Sequence, residues 1–244
     1  MLAANHAPHM WYVLDEGALR RVVGTYRDDM VQVPLFPLGT VLVPGSVLPL
    51  QLFEPRYLEL LSDLVNVMEV PEFGVVAIRQ GHEVGPDSVH DLHEIGCVAR
   101  VTQAAPVGDG RYFVLSTGVH RFHLDALVTG AGTAYLMGEV TVLEERLGDA
   151  DEVAGLAGRL RRALHEYALT LGADEPEWPT DPVELSYAVG TAVRLDLGER
   201  QQLLAADDTE TRLRLGLRMV RREGQLAATL GVVPPSPEHG FNPN

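Results

Sequence analysis

The chain has 244 residues, 46% of them hydrophobic, with a mean hydropathy near zero and a formal net charge of −15. That length can bury a sizeable core, no apolar run approaches the roughly 20 residues of a membrane span, and a single cysteine, Cys97, excludes an intrachain disulfide framework. All 19 basic residues are arginine, and residues 1–29, 30–142, 143–222 and the remaining tail each carry net negative charge, which opposes nucleic-acid partners, whose binding rests on a basic surface.

In chain order, residues 1–29 show no clear period and hold candidate starts at Met1 and Met10, with Met30 just beyond. They read as an N-terminal extension outside the domain, a flexible arm or a weak helix around Gly17–Val23. The opening lacks the basic start and apolar run of a signal peptide, and one free cysteine suits a reducing compartment, so the expected location is the cytoplasm. Two apolar runs follow, Val33–Leu38 and Val47–Phe53, each interrupted by proline and joined by a Gly-bearing connection from Gly39 to Gly45. That is strand, loop, strand. Proline cannot donate to a ladder, so Pro34, Pro37 and Pro49 belong at strand starts, edges or bulges. Pro55 then suits a first helical turn, and Tyr57, Leu58, Leu61, Leu64 and Val65 recur at helical spacing.

Gly74–Arg79 reads as a further strand, and Gln80–Glu94, with Gly81, Gly85 and Pro86, as loop. Ile95–Val107 and Arg111–Thr117 flank Gly108-Asp109-Gly110, a hairpin signal. Val119–Val128 and Ala134–Leu143 complete the strands. Five or more short strands with one early helix point to a small, partly open barrel. From Asp149 the period becomes helical: Val153, Leu156, Leu160, Ala163, Leu164, Tyr167 and Leu171 form one stripe. A loop over Gly172–Thr180 ends that helix, and Asp181-Pro182 with Glu184 reads as the start of the next. A short helix over Glu199–Ala205 and a long one from Asp208 or Thr209 follow. Residues 231–244, with four prolines, read as a disordered tail.

The run PLFPLGTVLVPGSVLPLQLFEPRY, ending at Tyr57, resembles the opening of the Lon substrate-binding domain, the amino-terminal domain of ATP-dependent Lon proteases, also found as a stand-alone protein and within cereblon. Ile95–Val101 resembles the family's central strand, and LSTGVHRFHL, ending at Leu124, its Gly-x-x-Arg-Phe segment. Glu199–Leu215 resembles the segment where the family usually has Lys-Gln-x-Leu-Leu-Glu, with Arg200 for the Lys and Ala205 for the Glu. The resemblance runs from about Val33 to Arg222. It implies an α+β fold, a PUA-like β barrel over 30–145 followed by a C-terminal helical bundle over 146–230. Without lysine this chain holds neither a P-loop nor the Ser-Lys dyad of the Lon peptidase, so the substrate-binding part is what it carries.

Candidate chemistry is sparse. His90, Asp91, His93, Glu94 and Cys97 could supply metal ligands, but one cluster in a single loop more often reads as a solvated segment beside a buried cysteine. No metal or other cofactor is expected. No Gly-x-Ser-x-Gly elbow supports a hydrolase. Glu54 and Arg56 at a helix start could rim a peptide site or serve the helix and pair locally. The arginine stripe Arg214, Arg218, Arg221 and Arg222 reads as a solvated face. Apolar residues in the Val41–Gly45 connection are either core or exposed for contact.

The sequence therefore leads to a non-enzymatic module recognising unfolded or hydrophobic polypeptide, through apolar contacts and strand addition at an open sheet edge, as an adaptor for a separate protease or chaperone. The candidate peptide-binding residues are Leu42, Val43, Leu50, Phe53, Glu54, Arg56 and Tyr57. The alternative is a small-molecule site or enzyme in the cleft between barrel and bundle. RNA binding would need a patch of Arg100, Arg111 and Arg121 despite the acidic total.

Overall fold

The computed structural model describes residues 31–66, 68, 70–81, 89–173, 177–230 and 242–243. The sequence expectations for 1–29 lie outside these, as do those for the tail apart from its two described residues. The sheet contains β1 (Val31–Leu38), β2 (Val47–Leu52), β3 (Glu72–Gly81), β4 (Val89–Leu92), β5 (Ile95–Gly108), β6 (Arg111–Val128), β7 (Leu136–Val142) and β8 (Asn242–Pro243), with helix α1 (Pro55–Asn66) between β2 and β3. Helices α2 (Ala150–Thr170), α3 (Pro182–Ala192), α4 (Leu197–Ala205) and α5 (Thr209–Leu230) follow β7. The fold is mixed α and β, a mainly antiparallel sheet followed by helices. Among the described residues no helix is long and apolar enough to cross a membrane.

The pairings run β3–β1–β7–β6 and return to β3 through β5, with β1–β3 the parallel contact of that circuit. The prolines show how β1 serves two neighbours. Residues 31–35 pair with β7 and residues 35–38 with β3, so Pro34 and Pro37 each lie where the strand is paired on one side, the position that tolerates a missing donor.

Two expected strands are one. β6 runs through Gly118, with Val119 the extra residue of a bulge between the Ala99–Gly118 and Val98–His120 pairs. Gly118 is required because the 41–46 connection lies on it: Gly45 N–H donates to its carbonyl, its N–H donates to Ser46, and an added Cβ would lie 2.4 Å from the Val43 carbonyl oxygen. Within the expected loop over Gln80–Glu94, the polar β4 pairs with the end of β3 alone, an edge position that needs no apolar pattern.

Helix starts follow the caps read from sequence. Asp149 accepts from the N–H groups of Asp151 and Glu152, and Asp181 from those of Val183 and Glu184. The short helix begins two residues before the expected Glu199, because Asp196 and Glu199 form a reciprocal capping box. One core lies between the sheet and α1, with Phe36 stacked on Tyr57 at 3.9 Å, and a second lies among α2, α3 and α5. Tyr187 of α3 and Leu204 of α4 belong to the first, so the helical half packs directly on the sheet.

Candidate functional site

Between β7 and α2 the chain passes without regular secondary structure through residues 143–149, and Glu145 in this stretch ties sheet to helices. The Arg121 Nε of β6 donates to its Oε1 at 2.9 Å, the Arg212 Nη2 of α5 to its Oε2 at 3.2 Å, and the Tyr187 hydroxyl to Oε1. Both arginines are buried, and their remaining donors find carbonyls: Arg121 Nη1 reaches Leu204 and Ala206, Arg212 Nε reaches Leu203. Arg212 also lies 3.9 Å over the Tyr187 ring and donates to the Ser186 hydroxyl. Two buried guanidiniums survive here because a carboxylate and several carbonyl and hydroxyl acceptors compensate them. Burial alone would raise the Glu145 carboxyl, but the Tyr187 hydroxyl and the two arginines outweigh it and hold it below its ordinary range.

Beside this junction lies a cleft of about 910 Å³ between sheet and α3, walled by Val43, Val119, Val142, Leu143, Val183 and Tyr187. Its charged lining is largely paired: Glu72 with Arg100 at 2.6 Å, Glu145 with Arg121. His120, Glu144 and Glu184 line it outside those pairs.

The cleft continues onto an open face of the sheet. β2 alternates strictly, with Leu48, Leu50 and Leu52 buried and Val47, Pro49, Gln51 and then Phe53 turned outward. Opposed residues share a face, so the outward side carries the row Gln51, Phe113, Ala105 and the row Pro49, Leu115, Gln103. A third row, Val47, Thr117, Arg100, Glu72, crosses four strands and reaches the cleft lining. Val47, Phe53, Val107 and Tyr112 are all exposed, Val47 by 60%. Among the described residues the far edge of β2 pairs with the two-residue β8, parallel, with Leu50 opposite Asn242 and Gln51 opposite Pro243.

Of the seven peptide-binding candidates, Leu42, Val43, Leu50 and Tyr57 are buried. The connection closes over Gly118, so its apolar side chains turn inward, and Val43 contributes to the cleft wall from within. Glu54 and Arg56 pair with each other at 3.1 Å, and Arg56 lies 4.5 Å from the Tyr57 ring centroid. Phe53 is the candidate that lies open to solvent. The outward face around it was legible as the period of two in Val47–Phe53. Its partners Phe113 and Leu115 required knowing the register.

Other candidates do not converge. Cys97 is fully buried, Asp91 pairs with Arg79, and Glu94 faces His123 at 3.9 Å. Among the described residues no group of three or more His, Cys, Asp or Glu could hold a metal ion. Arg100, Arg111 and Arg121 pair with Glu72, Asp109 and Glu145 respectively, so they form no free basic patch. On α5, Arg214 binds Glu210 and Glu152, and Arg222 binds Glu199 and Glu223.

Residues 32–222 match the family model described as the ATP-dependent protease La (LON) substrate-binding domain. Among curated proteins, a Lon protease of Anaeromyxobacter dehalogenans is 30% identical over 210 residues, covering 82% of this chain and 24% of the relative. Lon protease 4 of Sorangium cellulosum is 39% identical over 145 residues, covering 59% of this chain and 17% of the relative. The chain thus spans about a quarter or less of the length of these relatives. Among solved structures, a Lon N-terminal domain protein from Xanthomonas campestris is 25% identical with a TM-score of 0.57, covering 78% of this chain and 98% of that one. The N-terminal domain of Mycobacterium avium complex Lon protease, 21% identical, shares the fold with a TM-score of 0.60 and the same coverage.

Proposed function

This chain belongs to the Lon substrate-binding domain family, and from that premise we propose that it is a non-enzymatic polypeptide-binding module whose contact surface is the outward face of β2, β6 and β5 with the open edge of β2. The observation that carries the reading is the run of outward apolar side chains, Val47, Pro49, Phe53, Phe113 and Leu115, beside a strand edge whose described partner spans two residues. Main-chain pairing supplies sequence-independent affinity there, and alternate side chains reach the apolar face. Such chemistry suits an unfolded or hydrophobic segment. The PUA-like barrel belongs to the same proposal and rests on the family resemblance. The proposal extends to an adaptor role, in which a bound client passes to a protease or chaperone.

The test is a titration of the full chain with a fluorescently labelled, permanently unfolded polypeptide of low lysine content. Wild type binds it. Val47→Glu and Phe53→Ser weaken binding at least about tenfold while leaving the melting temperature in place, since losing a hot-spot contact near the centre of an interface costs about 2 kcal/mol or more. Equal binding by all three proteins overturns this placement of the surface.

A second reading has its own observation. The cleft beside α3 has the volume of a small-molecule site, with His120, Glu144 and Glu184 as its titratable groups outside ion pairs. Equilibrium dialysis against a metabolite mixture, read for compounds retained by wild type and lost on Tyr187→Phe or His120→Ala, tests it.

A further inference from the structure

We propose that the outer face of the α2–α5 pair is a second interaction surface, which binds a short acidic segment of a partner polypeptide. It lies on the helical half and does not depend on the sheet-face reading. The two helices run side by side in the same direction. Near their starts the Asp149 N–H donates to Glu210 Oε2 at 3.0 Å, and Arg214 pairs with Glu152 at 3.1 Å. Further along, a Cβ on Gly224 would lie 3.9 Å from the Tyr167 ring. No residue of either helix belongs to the core beneath the sheet, whereas α3 and α4 each contribute to it, which leaves α2 and α5 as the layer farther from the sheet.

Along this pair the charge pattern changes sign. Seven residues make two helical turns, so the positions seven beyond Glu152 and Arg214 face one another as those two do. They are Arg159 and Arg221. Where an ion pair stood, two like charges meet. Arg162 follows Arg159 by one turn and Arg218 follows Arg214 by one turn, so four guanidiniums collect on one face. The Arg159 side chain folds back over Gly155, where an added Cβ would lie 3.3 Å from its Nη1. All four arginines are exposed, and among the described residues no carboxylate pairs with any of them. In a chain with 34 acidic residues against 19 arginines, such a cluster is the exception, and like charges at this spacing cost stability. An acidic ligand supplies the missing counter-charge.

The size of the patch selects the kind of partner. Each helix contributes two arginines three residues apart, about 5 Å along its axis, and packed helix axes lie about 8–10 Å from each other. Carboxylates bound the patch, Glu152 and Glu210 before it and Glu166 after it. A nucleic acid or an anionic membrane extends past them into the field of a chain with net charge −15. A short segment does not. Alternate carboxylates on an extended segment stand about 7 Å apart, which matches the guanidinium spacing, and each guanidinium can take a carboxylate through two parallel N–H donors. Leu169, exposed and seven residues beyond Arg162 on α2, adds an apolar contact at one end. The ligand is therefore a run of alternating Asp or Glu residues followed by an apolar one.

The experiment titrates the full chain with a labelled peptide of alternating Glu and Ser ending in Leu, in about 20 mM and about 200 mM salt. A single-stranded oligonucleotide of equal charge and phosphatidylserine vesicles serve as comparators. Wild type binds the peptide in low salt and releases much of it in the higher salt. Arg159→Glu and Arg221→Glu each weaken binding by about fivefold or more. Arg194→Glu, which makes the same change in net charge at an exposed site between α3 and α4, and Val47→Glu on the sheet stay within about twofold of wild type. Without any ligand, Arg159→Gln raises the melting temperature in low salt, and the gain disappears in about 1 M salt because the repulsion it relieves is screened. No binding by wild type in low salt, or an equal loss in Arg194→Glu and Arg221→Glu, overturns the surface. A melting temperature that Arg159→Gln leaves unchanged or lowers contradicts the crowding of like charges. Tighter binding of the oligonucleotide or the vesicles than of the peptide overturns the acidic-polypeptide partner.

Discussion

Arg212 and Glu145 lie 67 residues apart in the chain, yet their side chains meet at 3.2 Å, with the arginine completely shielded from water. The same carboxylate takes Arg121 from the sheet, so one side chain in an irregular connection neutralises cations from both halves of the molecule. Glu145→Gln leaves both guanidiniums short of a counter-charge. It should destabilise the protein by about 2 kcal/mol, below the cost of breaking a fully buried pair because Glu145 keeps a third of its surface in solvent. Urea unfolding at neutral pH measures this.

The same group sets a pH dependence. Its folded-state affinity for protons is lowered, so in the acid range the unfolded chain binds more protons and stability falls with falling pH. The contribution is fully present above the ordinary carboxyl value of 4.5 and disappears as pH drops through the depressed folded value. The stability gap between wild type and Glu145→Gln should accordingly be widest at neutral pH and narrow below about pH 4. A gap that stays constant from pH 7 to pH 3 contradicts this role.

Gly118→Ala should be costly for a different reason. The new methyl group would stand 2.4 Å from the Val43 carbonyl oxygen, and backbone on both sides is held by hydrogen bonds between Gly118, Gly45 and Ser46. Relief requires moving the connection off the sheet, so a loss of about 2 kcal/mol or more is expected. Gly158→Ala, where an added methyl meets nothing within 4 Å on helix α2, should instead stabilise by about 0.5–1 kcal/mol. Thermal denaturation of the two variants separates the cases.

Cys97 is buried and burial pushes its thiol well above the ordinary range, so little thiolate exists near neutral pH. Native protein should resist a thiol reagent for hours at pH 8, while protein in 6 M guanidinium reacts within minutes. Fast reaction of the native form would show that the β3–β5–β6 core around this residue opens readily.

Much of this architecture was legible locally. The period of two in Val47–Phe53, the period of 3.6 in Val153–Leu171 and the caps at Asp149 and Asp181 each encode their element within a few residues. What the sequence hid depends on distant pairing. Nothing near Val119 announces a bulge, so one strand read as two, and the polar β4 looked like the loop around it. Likewise Leu42, Val43, Leu50 and Tyr57 are apolar whether they line a groove or a core, and only the contact of Val43 with Gly118 decides for the core. Glu145, Arg212 and Tyr187 escaped notice, and Arg121 stood out only as a member of a basic patch, because each is an ordinary residue in its own segment. Their meaning arises where the two halves meet.

The most direct measurement of the central claim is hydrogen exchange of the full chain with and without the unfolded polypeptide, at concentrations well above the dissociation constant. The account predicts slowed exchange over Val47–Phe53, with Gln103–Thr117 across the same face also protected. Protection confined to the cleft residues Val142–Glu145 and Val183–Thr191, or none anywhere, would contradict it.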